Sequence, residues 1–204
     1  MWSPGKKGIQ LKKISRIFAI ILLGIQAFLR AEAAELVFEV KDASGKPLPE
    51  TVIAVFDGKA PAETTSGTAK IIQKNKQFNP GVAVIQTGTA INFPNEDSVR
   101  HHVYSFSPAK KFEIKLYSGV ATNPIVFDKA GVVSLGCNIH DSMVGFIYVV
   151  DTPYFAKTDA NGKAVINVPA GNIVYQVWPA GRLKFAIEQN LKFDSNEIIK
   201  VNLP

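Results

Sequence analysis

The sequence predicts an all-β protein, and three observations predict it. The chain is rich in Val, Ile, Phe and Thr, residues that suit a pleated, half-buried surface. Turn residues punctuate it at short intervals, and no segment sustains the 3.6-residue apolar period of a long helix. Residues 36–56 read as two alternating strands joined by the turn Ala43-Ser44-Gly45-Lys46-Pro47. Residues 57–70 are polar and rich in Gly, Ser, Thr and Pro, the composition of a linker. From Ile71 short strands follow closely, at 83–88, 89–93, 101–106, 112–118, 123–127, 131–137 and 143–150. Such spacing predicts a sandwich or barrel. Residues 158–181 alternate again, around Asp-Ala-Asn-Gly and Pro-Ala-Gly turns that predict hairpins.

The N-terminus reads differently. Lys6, Lys7, Lys12, Lys13 and Arg16 precede an apolar run from Ile17 to Leu29, followed by Ala31-Glu32-Ala33-Ala34. A basic leader, a short apolar segment and an A-x-A site predict a secretory signal peptide over residues 1–33. The apolar run of 13 residues falls short of the roughly 20 that span a bilayer. The expected location is therefore a bacterial periplasm, with no membrane attachment after cleavage. Six of the 23 basic residues and one of the 17 acidic residues fall within 1–33, which leaves 17 and 16, a net charge of +1. Most of the formal +6 thus belongs to the leader. No basic stripe interleaved with aromatics remains, so nucleic acid is excluded as a partner.

Exported cysteines usually pair, yet this chain has one, Cys137. An exposed lone thiol would oxidise, so either Cys137 is buried and inert or something holds it. The distribution of soft ligands bears on that choice. Besides Met1 the chain has one Met, one Cys and three His. Cys137, His140 and Met143 fall within seven residues at i, i+3 and i+6, and His101 and His102 form an adjacent pair upstream. A trigonal set of two His and one Cys with a weak axial Met is the donor set of a blue-copper electron-transfer site. Structural zinc would want four firm ligands and gains little from a thioether. Residues 131–137 read as one strand and 144–150 as the next, so the ligand run is the loop between them. An upstream histidine reaches in from a third strand. Strand alternation puts Val99, His101 and Val103 on one face and His102 on the other, which favours His101 as that ligand, with His102 as the alternative.

These residues carry a resemblance. Gly136-Cys137-Asn138-Ile139-His140-Asp141-Ser142-Met143-Val144-Gly145, followed by an apolar strand, resembles the copper loop of the plastocyanin-like cupredoxins. The Cys-x-x-His-x-x-Met spacing is similar to that of the short amicyanin loop. His101-His102-Val103-Tyr104-Ser105-Phe106 stands where the family has its first ligand, and residues 86–93 resemble the strand leading to it. The resemblance covers about residues 71–151. It implies a Greek-key cupredoxin β-sandwich with one type 1 copper, held by His101, Cys137, His140 and Met143. It also implies an electron port at the edge of His140, with Asp141, Ser142 and Val144 nearby. The family commonly has Asn after the first ligand; here His102 stands there, which bears on the tuning of the potential.

The ends of the chain resemble a second family. The V-x-D-x-x-G-K-P-L opening near residue 40, with T-D-x-x-G and V-P-A-G near the C-terminus, is similar to a transthyretin-like or carboxypeptidase-regulatory-like β-sandwich. The expected organisation is a signal peptide (1–33), the first part of a flanking sandwich plus linker (34–70), a copper domain (71–151) and the second part of the flanking sandwich (152–204).

The function expected is that of a periplasmic type 1 copper protein, not an enzyme. It would carry single electrons for a redox partner such as a c-type cytochrome or a dehydrogenase. A nucleophilic Cys–His pair would need an orienting third group and would leave Met143 without a role. The alternative is copper handling, as a carrier or sensor, which would favour exposed, exchangeable Cu(I) ligands and extra Met or His clusters. A further alternative is protein or glycan binding by the flanking part. Glu96 and Asp97 read as turn residues. Lys110, Lys111 and Lys115 read as a solvated strand face able to meet an acidic partner, and Trp178 and the phenylalanines as core.

Overall fold

The computed structural model describes residues 33–59, 67–120 and 123–204, together with Met1. Residues 2–32 of the predicted signal peptide and 60–66 of the 57–70 linker lie outside the described residues. No helix occurs among the described residues, and none is long and apolar enough to cross a membrane.

Two sandwiches make up the structure, both within one compact unit. In the first, β1 (Ala33–Asp42) lies between β14 (Lys163–Pro169), antiparallel, and β17 (Glu197–Leu203), parallel. The facing sheet has the order β13 (Tyr154–Lys157), β2 (Val52–Phe56), β15 (Gly171–Trp178) and β16 (Ile187–Phe193). Alternation along β1 turns Leu36, Phe38 and Val40 into the space between the sheets, where each is fully buried. Phe38 meets Tyr175 edge-on at 5.3 Å, and Ile53, Val55 and Val177 fill the rest. Each such side chain contributes about 1.5–3 kcal/mol of transfer free energy. This sandwich is therefore built from the two ends of the chain.

The second sandwich packs a five-stranded sheet against a three-stranded one. The larger has the order β6 (Val82–Gln86), β12 (Val144–Val150), β11 (Gly131–Cys137), β8 (His101–Ser107) and β9 (Lys110–Tyr117). The smaller has the order β10 (Ile125–Phe127), β7 (Thr89–Asn92) and β3 (Thr68–Lys70). Since β3 pairs parallel to β7, Thr68 already contributes to this sandwich. A short hairpin, β4 (Ile72–Lys74) and β5 (Gln77–Asn79), closes one end. Ile91, Phe93, Val103, Phe127, Val133, Leu135 and Ile147 form a core with Cys137 and Met143 at its margin. Between the sandwiches lies a smaller cluster of Val52, Val82 and Tyr148, against which Trp178 packs. The fold is all-β among the described residues.

Several local expectations change in three dimensions. The strands within 36–56 do not form a hairpin: β1 and β2 lie in opposite sheets. β6 and β7 likewise diverge to opposite sheets. The Asp159-Ala160-Asn161-Gly162 and Pro169-Ala170-Gly171 segments are corners, between β13 and β14 and between β14 and β15, again in opposite sheets, and not hairpin turns. Short loops that read as hairpins serve here as crossings, because each strand's apolar face has to meet the other sheet's. Phe106 and Phe185 are not core, being 78% and 45% exposed.

Two loops of the flanking sandwich use one device. In Asp42-Ala43-Ser44-Gly45-Lys46 and Asp159-Ala160-Asn161-Gly162-Lys163 the aspartate Oδ1 accepts the N–H groups two and four residues on, all at 2.9–3.0 Å. The glycines sit at φ 84° and 72°, and a Cβ at Gly162 would lie 2.4 Å from the Val40 carbonyl oxygen. Hydrogen bonds from Ser44 and Lys46 hold the Asp42 carboxyl below its ordinary value of 3.8, and that from the Lys163 N–H does the same for Asp159. A carboxyl depressed in the folded state gives stability that is present above pH 3.8 and lost as pH falls through the folded value. Urea midpoints should therefore decline from about pH 5 downward, and the decline should be shallower in Asp42→Asn/Asp159→Asn.

Candidate metal centre

Cys137 ends β11, whose inward positions Val133, Leu135 and Cys137 alternate with half-buried ones. It stands opposite Val103 of β8, so His101, two residues along on the same face, lies beside the loop that follows Cys137. Burial of His101, Val103 and Ser105 agrees with the alternation read from the sequence, except at Val99. Val99 belongs to a bend ahead of the strand and is 39% exposed. A bulge sets two residues between Ile114 and Tyr117 of β9 against one between His101 and Val103 of β8. Bulges of this kind re-aim side chains beside sites. Two backbone bonds shape the 138–143 loop: Asn138 N–H donates to the His102 carbonyl (3.1 Å) and Met143 N–H to the His140 carbonyl (2.9 Å).

The result is a convergence of three donors. Cys137 Sγ lies 3.8 Å from His101 Nδ1 and 3.7 Å from His140 Nδ1, and the ligand atoms of the three residues all fall within 4.8 Å of one another. The two imidazoles meet at 5.0 Å, 62° apart. His101 is fully buried and Cys137 nearly so, whereas His140 is half-buried, on a loop in which Ile139 is exposed and after which Val144 is exposed too. Met143 is buried in the same core cluster as Cys137. His102 is not part of the convergence: its ring turns to the opposite face and its Nε2 lies 2.8 Å from Glu113 Oε1.

Spacing of the donors fits a trigonally bound ion. Metal bonds of about 2.3 Å to sulfur and about 2.0 Å to nitrogen, opened to 120°, put sulfur and nitrogen about 3.7 Å apart. Chemistry of the donor set points the same way. His101, whose Nε2 faces Asp97, turns its Nδ1 lone pair toward the pocket, and Cys137 Sγ and His140 Nδ1 can each offer a lone pair to the same point. A cation at the centre satisfies all three at once.

Asp97 is the residue that reading by turn propensity missed. Its Oδ2 lies 2.8 Å from His101 Nε2, while Oδ1 and Oδ2 accept the N–H groups of Asn75 (2.6 Å) and Lys76 (2.9 Å). Burial alone would raise its pKa, but the bonds from Lys76, His101 and Asn75 outweigh it and hold the carboxyl below the ordinary range. The signal available in the sequence was a carboxylate four residues before an inward histidine. Glu96, by contrast, makes an exposed pair with Lys74 at 3.3 Å. Lys111 and Lys115 are exposed, and Lys110 pairs with Asp128 at 2.9 Å.

Beneath His101 lies a second polar group. Tyr117 donates its hydroxyl hydrogen to the Phe93 carbonyl at 2.6 Å and accepts from Gln73 Nε2 at 2.5 Å. Burial pushes the Tyr117 phenol up to about 12, with the charge of a Cys137 thiolate adding to it and the Gln73 bond opposing.

No protein-family model matches the chain, and no curated protein is significantly similar to it. Among solved structures it is similar to a purple cupredoxin from Nitrosopumilus maritimus, at 26% identity and a TM-score of 0.36, over 40% of this chain and 99% of that one. It is also similar to a Cu-containing nitrite reductase from Thermus scotoductus, at 26% identity and 0.38, over 41% of this chain and 22% of that one. An amicyanin variant matches at 18% identity and 0.37, over 50% of this chain and 99% of that one.

Of the chain's five tyrosines, Tyr117 and Tyr148 are both pushed to about 12. Burial raises Tyr175 as well, so a tyrosinate absorbance titration should show three late-ionising residues, and Tyr117→Phe should remove one of the two near 12.

Proposed function

We propose that this chain is an exported type 1 copper protein that carries single electrons between redox partners. The observation that carries this reading is the meeting of Cys137 Sγ with the Nδ1 atoms of His101 and His140 in a buried pocket beside Met143. Copper, when bound, supplies a one-electron couple. Cys137 provides the thiolate, His101 and His140 the trigonal nitrogens, and Met143 the weak axial donor. Residues 71–151, with β3 just ahead of them, act as the copper unit, and no bond of a substrate is made or broken.

Burial supports electron transfer over copper handling. Exchange of metal favours exposed ligands, whereas His101 is fully buried and Cys137 is 4% exposed. Ligands fixed on two strands and a short loop also resist rearrangement between oxidation states, which suits rapid transfer. Half-buried His140, flanked by Ile139 and Val144, is the edge through which an electron leaves for a partner such as a c-type cytochrome or a dehydrogenase. Export through a cleaved signal peptide puts this exchange in the periplasm.

Copper(II) added to the mature chain should give an intense blue band that ascorbate bleaches reversibly and that Cys137→Ser lacks. A protein that binds Cu(I) but forms no stable Cu(II) state would replace electron transfer with copper handling. Absence of copper binding would return Cys137 to the role of an inert core thiol.

A further inference from the structure

His101 has no contact with solvent, so both of its ring nitrogens need partners inside the protein. Nδ1 faces Cys137 Sγ, and Nε2 faces Asp97 Oδ2 at 2.8 Å. An ionised carboxylate only accepts, so the Nε2 atom must carry the proton, which leaves the lone pair on Nδ1. That is the tautomer a metal at the Cys137 pocket requires. The carboxylate is itself held. Asn75 and Lys76 form the two-residue loop between Lys74 and Gln77, both at φ 56°, and their N–H groups reach Oδ1 at 2.6 Å and Oδ2 at 2.9 Å. Left-handed φ comes readily to Asn but not to Lys, and strained residues of this kind persist where the surroundings over-determine them. Asn95 braces the same bend from within. Its Oδ1 accepts the Asp97 N–H at 2.9 Å, and its Nδ2 donates to the carbonyls of Val99 (2.9 Å) and Tyr117 (3.1 Å).

We infer that Asp97, clamped by the Asn75-Lys76 turn, is a positioning residue that fixes His101 in the Nε2–H tautomer and aims its Nδ1 at the Cys137 pocket. The β4–β5 hairpin is thereby a working part of the metal centre, although it carries no ligand. This inference rests on the metal-site reading above. Outer partners of ligating histidines typically govern about 10–100-fold in metal affinity. The His102–Glu113 pair has the same 2.8 Å separation on the opposite face, away from the three donors, and so serves as an internal control.

The test combines a metal-free measurement with a metal titration. With three histidines in the chain, nitrogen-15 spectra of the metal-free protein at about pH 8, where free imidazole is neutral, should resolve each ring. His101 should show the Nε2–H tautomer. A wild-type His101 protonated at Nδ1 would overturn the inference without recourse to any variant. Asp97→Ala and Asp97→Asn should each weaken Cu(II) binding, by about 10–100-fold for Ala, and Glu113→Gln should leave it unchanged. Binding by both Asp97 variants within twofold of wild type would overturn the inference. A wild-type chain that holds the Nε2–H tautomer yet binds no copper would instead overturn the metal reading.

Discussion

A fully buried imidazole sets the terms for everything around it. His101 has to satisfy two nitrogens without water, and it does so with a carboxylate on one side and a shared pocket with a thiol on the other. The carboxylate in turn needs donors, which the left-handed turn at Asn75 and Lys76 supplies. The pocket needs a third side, which the His140 loop supplies. Strand β8, the end of β11 and the β4–β5 hairpin are thus bound together by one chain of polar contacts running through an otherwise apolar core. Loss of any link would strand a polar atom in a dry environment, at a cost of about 1–3 kcal/mol.

Apolar packing holds that polar chain still. Val103, Leu135 and Ile147 are fully or almost fully buried in the same core cluster as Cys137, where Phe112 of β9 meets Phe93 at a tilt and Phe127 edge-on. The bulge on β9 turns Tyr117 inward, where its hydroxyl closes the floor. Under the proposed function such packing matters, since every shift of a ligand between oxidation states adds to the barrier for transfer. A metal carrier would need the reverse.

The flanking sandwich provides the mount. Its sheets draw on both ends of the chain, with β1 and β17 side by side and parallel, so the second sandwich is held at both of its own ends. Tyr148, in the middle of β12, donates to the carbonyls of Pro179 (3.0 Å) and Arg182 (2.8 Å) in the flanking loop, while Val52 of β2 packs against Val82 of β6. The strand that follows the ligand loop is therefore anchored to the second sandwich.

What could be read from the sequence was whatever depends on local spacing. Alternation gave the strand character and the inward face of β8, and the i, i+3, i+6 run of Cys137, His140 and Met143 gave the loop, because those residues sit within one turn of each other whatever the rest does. The partition into opposite sheets was hidden, since a Gly-containing loop such as 169–171 serves equally as a hairpin or as a crossing. Asp97 was only half legible: it stands four residues before an inward histidine, but the hairpin that clamps it lies some twenty residues upstream, and no local pattern encodes that meeting. The set of candidate donors was thus legible in the sequence, whereas their orientation was decided only by long-range packing, which fixes where a second residue's hydrogen-bonding atoms arrive.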